Sequence, residues 1–330
     1  MKKLLVSGIA IFSFLFIAET PLPVDSTSTV FGLLYVRNDK IHNKTTLELY
    51  PVCKYSNGKY EEASIAPEST ESHPEFVLCN TKDFKVFRKG TEIGNFSVSK
   101  IEVGGYYCSG IFVGSGSSTI PDSVLKIRPS DNFTESSGFN EGVDFSYQMK
   151  RFVAINSNSK TIKTQNHSKP FNIKLSSNQH EQLMNIARKV YQENKVDSQF
   201  LGHIEIKTST SYDLQGNGTI EQLLITTVRV PDDTILTEGD STIIDSSTAT
   251  AVIWATINKN EVTPILHEFD KERSDSWGEG FELVDVLDID GDSVPEIILE
   301  GQGYEYNFCL IYKYANGKFE LVFSGAGYGC

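Results

Sequence analysis

Four carboxylates alternate through one short stretch: Asp288, Asp290, Asp292 and Glu296 hold places one, three, five and nine of a nine-residue segment. Gly291 permits a tight curl between them, and the apolar run Ile297-Ile298-Leu299 follows at once. A chain curled in this way brings its carboxylates to one point, and such a cage of hard oxygens suits a divalent cation, Ca²⁺ above all. A less charged copy lies upstream. There Asp213, Gln215, Asn217 and Glu221 hold the same four places, with Gly216 at the fourth and Gln222-Leu223-Leu224-Ile225 behind. Affinity in loops of this kind follows ligand charge and rigidity, so the downstream loop is expected to bind more tightly than the upstream one. Metal-free turns use the same residue types, and Glu296 also reads as an outward-facing strand residue.

Both segments resemble the calcium-binding loops of FG-GAP and VCBS repeats, the β-propeller blade units of integrin α-chains and many secreted bacterial proteins. Their pattern is approximately D-x-D-G-D-G-x-x-D/E followed by an apolar strand. The downstream loop carries it in Asp288, Asp290, Gly291, Asp292 and Glu296, with Ser293 where the pattern has glycine. The upstream loop keeps Asp213, Gly216, Gly218 and Glu221 but has the amides Gln215 and Asn217 in place of carboxylates. Carried over by position, the resemblance implies Asp288, Asp290, Asp292, the Val294 carbonyl and Glu296 as ligands. In the weaker loop it implies Asp213, Gln215, Asn217, the Thr219 carbonyl and Glu221. The likeness covers the loops closely, the rest of 205–330 loosely and the first half of the chain not at all. Two units fall short of the 4–8 blades of a propeller, so the expectation is a twisted antiparallel sheet or sandwich of two blade-like repeats.

The elements that must position these loops read as mostly β. Before residue 156, the segments 33–36, 47–52, 84–87 and 111–113 are short, rich in β-branched or aromatic residues and separated by turn residues. They predict a small N-terminal β domain over 27–155. The glycine- and serine-rich tract 114–118 reads as a loop, and 63–74 as a polar, mobile excursion. A polar stretch over 156–170 has the composition of a linker. A C-terminal domain over 171–330 follows, opening with one helix at about 177–194. Ser176 and Gln179 have the form of a capping box, and Leu183, Ile186, Ala187, Val190 and Tyr191 fall on one face. The hairpin Lys313-Tyr314-Ala315-Asn316-Gly317-Lys318-Phe319-Glu320 echoes Lys54-Tyr55-Ser56-Asn57-Gly58-Lys59-Tyr60-Glu61. Asn-Gly between apolar strands predicts a type I′ turn, which needs positive φ at both central positions. The echo is read first as shared turn chemistry.

Lys2-Lys3 followed by an apolar stretch over 4–18 predicts a secretory signal peptide over 1–18, with an uncleaved anchor as the alternative. Its removal takes the net charge from −13 to −15. Such an acidic chain without basic clusters excludes nucleic acid as a partner, and no later segment has the length and apolarity of a membrane span. The expected location is secreted or periplasmic. Five cysteines, Cys53, Cys79, Cys108, Cys309 and Cys330, contain no C-x-x-C pair. In an oxidising compartment they predict a Cys309–Cys330 disulfide, which would staple the chain end onto a strand, and a second bridge among the other three.

No G-x-S-x-G, H-E-x-x-H, P-loop or dinucleotide fingerprint occurs. The six histidines are dispersed and read as surface residues. Aromatics such as Trp254, Trp277, Tyr304 and Tyr306 could line a sugar-binding face, though core packing is their commoner fate. Two readings of function stand. One is an exported, non-enzymatic binding or scaffold protein for a protein or glycan ligand, stiffened by Ca²⁺. The other is a secreted hydrolase of glycans or peptides with a carboxylate-based site.

Overall fold

The computed structural model describes residues 28–63, 81–106, 109–128, 134–140, 143–159, 167–238, 241–273, 280–303 and 306–329. The expected signal segment, the mobile excursion beyond residue 63, Cys79, Cys108, Trp277, Tyr304 and Cys330 lie outside them.

The fold is mostly β, as the segments predict. In the first half, β1 (Thr29–Asp39), β2 (Lys44–Ser56), β6 (Ser109–Ser118), β5 (Thr91–Tyr106), β4 (Asp83–Arg88) and β8 (Val143–Asn156) pair in that order. Pairing of β1 with β8 closes them into a six-stranded barrel, to which β3 (Lys59–Glu62) and β7 (Thr134–Asn140) add at the side. Strand β1 is buried over its first eight residues on both faces. Side chains alternate across a strand, and the two faces enter different cores. Val30, Leu34 and Val36 join Leu49, Phe84, Phe96 and Phe152 in one cluster. Phe31, Leu33 and Tyr35 join Val52, Val153 and Ile155 in another.

The second cluster does not stop at the polar stretch 156–170. It includes Leu287, Ile289, Ile298, Ile311 and Phe323 from the far end of the chain. These belong to a four-stranded antiparallel meander of β13 (Gly280–Leu287), β14 (Glu296–Gly303), β15 (Tyr306–Ala315) and β16 (Lys318–Gly329). The opposite face of that sheet, with Val286, Ile297, Leu299 and Tyr312, packs on Leu223, Ile225, Val252 and Trp254. Those come from a second four-stranded meander, β9 (Glu205–Tyr212), β10 (Ile220–Glu238), β11 (Ser241–Asn258) and β12 (Glu261–Arg273). Its outer face, including Leu224, Ala251 and Ile253, takes the helix Ser177–Glu193. Barrel, sheet, sheet and helix therefore stack as successive layers, each pair sharing one apolar core.

Helix Ser177–Glu193 begins on the expected capping box: Ser176 Oγ accepts the Gln179 N–H, and Gln179 Oε1 accepts that of Ser176. Its buried face is Leu183, Met184, Ala187, Val190 and Tyr191, so Met184 takes the place expected of Ile186. Fully burying each large apolar side chain stabilises by roughly 1.5–3 kcal/mol. The two Asn-Gly hairpins also form as expected. Asn57 and Gly58 have φ of 52° and 78°, and Asn316 and Gly317 have φ of 54° and 76°.

Three expectations need correction. The tract 114–118 is strand, not loop: it completes β6, and Gly116 is needed because a Cβ there would lie 1.9 Å from the Ser97 carbonyl oxygen. The polar stretch 156–170 is not all surface. Asn156 is buried, accepting the Val30 N–H at 2.8 Å and donating to the Ser28 carbonyl at 3.1 Å, and Ser168 is buried against Gly90. The third correction concerns Cys309, which is a free buried thiol and so is not bridged to Cys330. Cys309 lies in the same apolar cluster as the free thiol Cys53, and burial raises both thiols' pKa values well above the usual range.

Candidate metal centre

Each acidic loop joins the first two strands of its meander, 213–221 between β9 and β10, and 288–296 between β13 and β14. The internal hydrogen bonds correspond, except that one partner of the first aspartate is place four downstream and place five upstream. The first aspartate accepts backbone N–H groups with both oxygens: Asp288 those of Gly291 (2.6 Å) and Ser293 (3.0 Å), Asp213 those of Asn217 (3.0 Å) and Gly218 (3.1 Å). The ninth residue reaches back to the second, Glu296 accepting from Ile289 N–H (2.7 Å) and Glu221 from Leu214 N–H (2.9 Å). The fifth caps the seventh: Asp292 accepts from Val294 N–H and Asn217 from Thr219 N–H, both at 2.8 Å. Gly216 and Gly291 have positive φ at place four, and Gly218 (φ 82°) and Ser293 (φ 74°) at place six. Ser293 thus adopts the left-handed backbone of the glycine it replaces. The second residue of each loop anchors it, Leu214 and Ile289 both being fully buried. Leu214 enters the core between the two sheets, and Ile289 the core between sheet and barrel.

The loops differ in charge. Asp288, Asp290 and Glu296 each offer an oxygen to a cluster in which all three atoms lie within 4.8 Å of one another. Two oxygens on one Ca²⁺, each at 2.3–2.6 Å, stand at most about 5 Å apart, so these three fit a single ion. Glu296 is fully buried, and its Oε1 has no hydrogen-bond partner. An orphaned carboxylate oxygen in such a place costs free energy unless protonated or bound to a cation. Burial, reinforced by Asp290, pushes the pKa of Glu296 well up, and burial pushes that of Asp288 up to about 6.

Of the other expected ligands, Asp292 stands outside the cluster, with its Oδ2 2.7 Å from the Lys313 ammonium. Lys313, on β15, also pairs with Asp290. Hydrogen bonds to the two aspartates outweigh burial and hold the ammonium above its usual pKa range. Sequence reasoning did not single out Lys313. It stands beside the loop because Tyr312, its neighbour, pairs with Ile297, next to Glu296, and that register is not written in the loop motif. The Val294 side is bound through its N–H.

In the upstream loop Asp213 and Glu221 are the only carboxylates. The amides Gln215 and Asn217 satisfy each other, Asn217 Nδ2 donating to Gln215 Oε1 at 3.0 Å. Glu221 is fully buried with one orphaned oxygen, and burial pushes its pKa up to about 7. The ring of His167 lies over Gly216, where a Cβ would meet it at 2.1 Å.

Elsewhere, Trp254 is fully buried between Tyr212 and Phe319, so it is core and not a ligand face. A surface cleft of about 360 Å³ lies at β9–β11, lined by His203, Glu205, Lys207 and Arg229 among others. Its one carboxylate, Glu205, pairs with Lys207 at 3.6 Å. Among the described residues no helix is long and apolar enough to cross a membrane. Comparison of the chain with protein-family models, curated proteins and solved structures gives no match.

Proposed function

We propose that this is an exported, non-enzymatic binding or scaffold protein whose β fold is stabilised by Ca²⁺ in the 288–296 loop. The observation that carries the cation reading is the convergence of Asp288, Asp290 and Glu296 oxygens within 4.8 Å, with an orphaned oxygen on buried Glu296. Oxygen-only donors select a hard cation over zinc or copper. No step of bond making is assigned to the site. Its carboxylates are tied to backbone N–H groups and to Lys313, an arrangement suited to holding a loop and not to moving protons. The binding or scaffold role rests on the stacked sheets and on the absence of a catalytic motif in the sequence.

Melting of the full chain in chelator and in millimolar calcium tests this. Binding to the folded state alone stabilises by roughly 2.7 kcal/mol at a hundred times Kd, so wild type should melt higher in calcium. Asp290→Ala should remove most of that increment, while Asn217→Ala should leave it nearly intact. Equal melting of wild type in the two buffers would show that the loop is a metal-free turn.

A further inference from the structure

Charge on the strand beside each acidic loop follows charge in the loop. Pairing of β14 with β15 sets Ile297 opposite Tyr312, and continued by one residue that register brings Lys313 to Glu296. The same step in the upstream unit sets Glu221 opposite Thr256, a neutral hydroxyl. Upstream, where Gln215 and Asn217 bond to each other, the neighbouring strand thus brings no charge. Downstream, where aspartates hold the same two places, it brings an ammonium that reaches both of them. Lys313 Nζ donates to Asp290 Oδ2 and lies 2.7 Å from Asp292 Oδ2. Both oxygens of Asp290 are thereby engaged, since Oδ1 accepts the Asp292 N–H at 3.1 Å. Yet Asp290 is one of the three carboxylates whose oxygens converge with Asp288 and Glu296. Ammonium and divalent ion therefore claim the same side chain, and two cations on one carboxylate repel strongly at such range. A second place for the ammonium exists on the adjoining strand. Glu320, exposed on β16, stands directly opposite Lys313, and opposite charges so paired across strands attract.

We propose that Lys313 is a tethered competitor of the metal: its ammonium neutralises Asp290 and Asp292 until Ca²⁺ displaces it from Asp290 toward Glu320. Lys313 thereby sets the calcium concentration at which the loop fills. Each binding event has to undo an ion pair already made, which lowers affinity toward the roughly 10⁻⁴–10⁻³ M range of extracellular calcium modules. The loop lies at the barrel–sheet seam, with Ile289 in the shared core, so exchange of one cation for the other keeps its carboxylates compensated at that junction. This inference rests on the cation reading above.

Calcium titration calorimetry on the full chain, wild type, Lys313→Met and Lys313→Arg, reads the competition. Acylation of Lys313 in wild type, mapped by peptide in chelator and in calcium, reads the displacement without any variant. Lys313→Met should tighten calcium binding roughly tenfold to a hundredfold, the range of one hydrogen bond to a charged group. Lys313→Arg keeps the charge and should show no such gain. Calcium should also speed acylation of Lys313, and an unchanged rate at saturating calcium would overturn the proposal even where Lys313→Met fails to fold. If wild type binds calcium and Lys313→Met binds it no more tightly, Lys313 only braces the loop, and the inference falls while the cation reading stands. If Lys313→Met binds calcium and wild type does not, the competition is upheld and the cation reading of the native loop falls. If neither binds, both fall.

Discussion

Ser293 occupies a backbone that serine avoids, and exchanging it with its counterpart should expose the equivalence of the two loops. Ser293 has φ 74° and Gly218, at the same place upstream, has φ 82°. A left-handed conformation costs an L-residue roughly 1–2 kcal/mol, against which glycine brings about 0.5–1 kcal/mol of extra unfolded-state entropy. Ser293→Gly should therefore stabilise by about 0.5–1 kcal/mol, and Gly218→Ser should destabilise by a similar amount. Space does not interfere at the upstream site, since a Cβ on Gly218 meets nothing within 4 Å. The hydrogen bonds from both residues to the first aspartate run through backbone N–H groups and survive either change. Denaturant unfolding in chelator reads the difference free of any ion, and melting temperatures should move roughly 1–3 °C in opposite directions. A Ser293→Gly protein less stable than wild type would refute the reasoning, because it would mean that the Ser293 side chain does more for the loop than its strain costs.

Two further perturbations address the seam. Burial pushes the pKa of Asp285 from 3.8 up to about 7, and its carboxylate accepts the Gly90 N–H of the barrel at 2.9 Å. Because the folded value is raised, the native state holds this proton between pH 4 and 7 while the unfolded state has lost it. That stability is complete below pH 4 and is lost as pH rises through 7. Asp285→Asn should flatten the fall of stability between about pH 4 and 7, and an unchanged slope would count against the assignment. Arg151 on β8 and Glu300 on β14 form an ion pair at 2.6 Å with side chains 6% and 2% exposed. Arg151→Ala takes the guanidinium from buried Glu300, leaving its Oε1 the Tyr35 hydroxyl at 2.8 Å, and should cost about 3–5 kcal/mol, whereas a loss below 1 kcal/mol by denaturant unfolding would show the pair to be dispensable.

What the sequence reveals and what it hides divide along range. The helix with its capping box, both Asn-Gly turns and the shape of both loops depend on residues within one element, and local pattern is enough to find them. The loop at 288–296 is legible down to the departure at Ser293. The layering is not, because it depends on which face of β1 meets which sheet: Phe31 and Leu287 share a core across most of the chain's length. Tract 114–118 misleads because glycine and serine suit loops in general, while here Gly116 answers a close approach of β5 that only the paired strands create. The expected chain-end disulfide follows from Cys309 lying on a strand, but that strand turns the thiol inward, into the core that holds Cys53. The hairpin echo was visible as turn chemistry.

The comparison of the two loops also bears on why the seam would be the place for an ion. Both have positive φ at places four and six, a buried apolar second residue and a buried glutamate at place nine. Upstream, amides replace two carboxylates and bond to each other, so the turn closes with little repulsion and needs only its core contact between two sheets of one meander type. Downstream, four carboxylates meet one lysine, leaving an excess of negative charge beside an interface of unlike partners, barrel and sheet. Burial first, and the neighbouring aspartates after it, raise the pKa values of Asp288 and Glu296 there. A cation bound there would offset that charge at a junction where the two halves of the chain share a core.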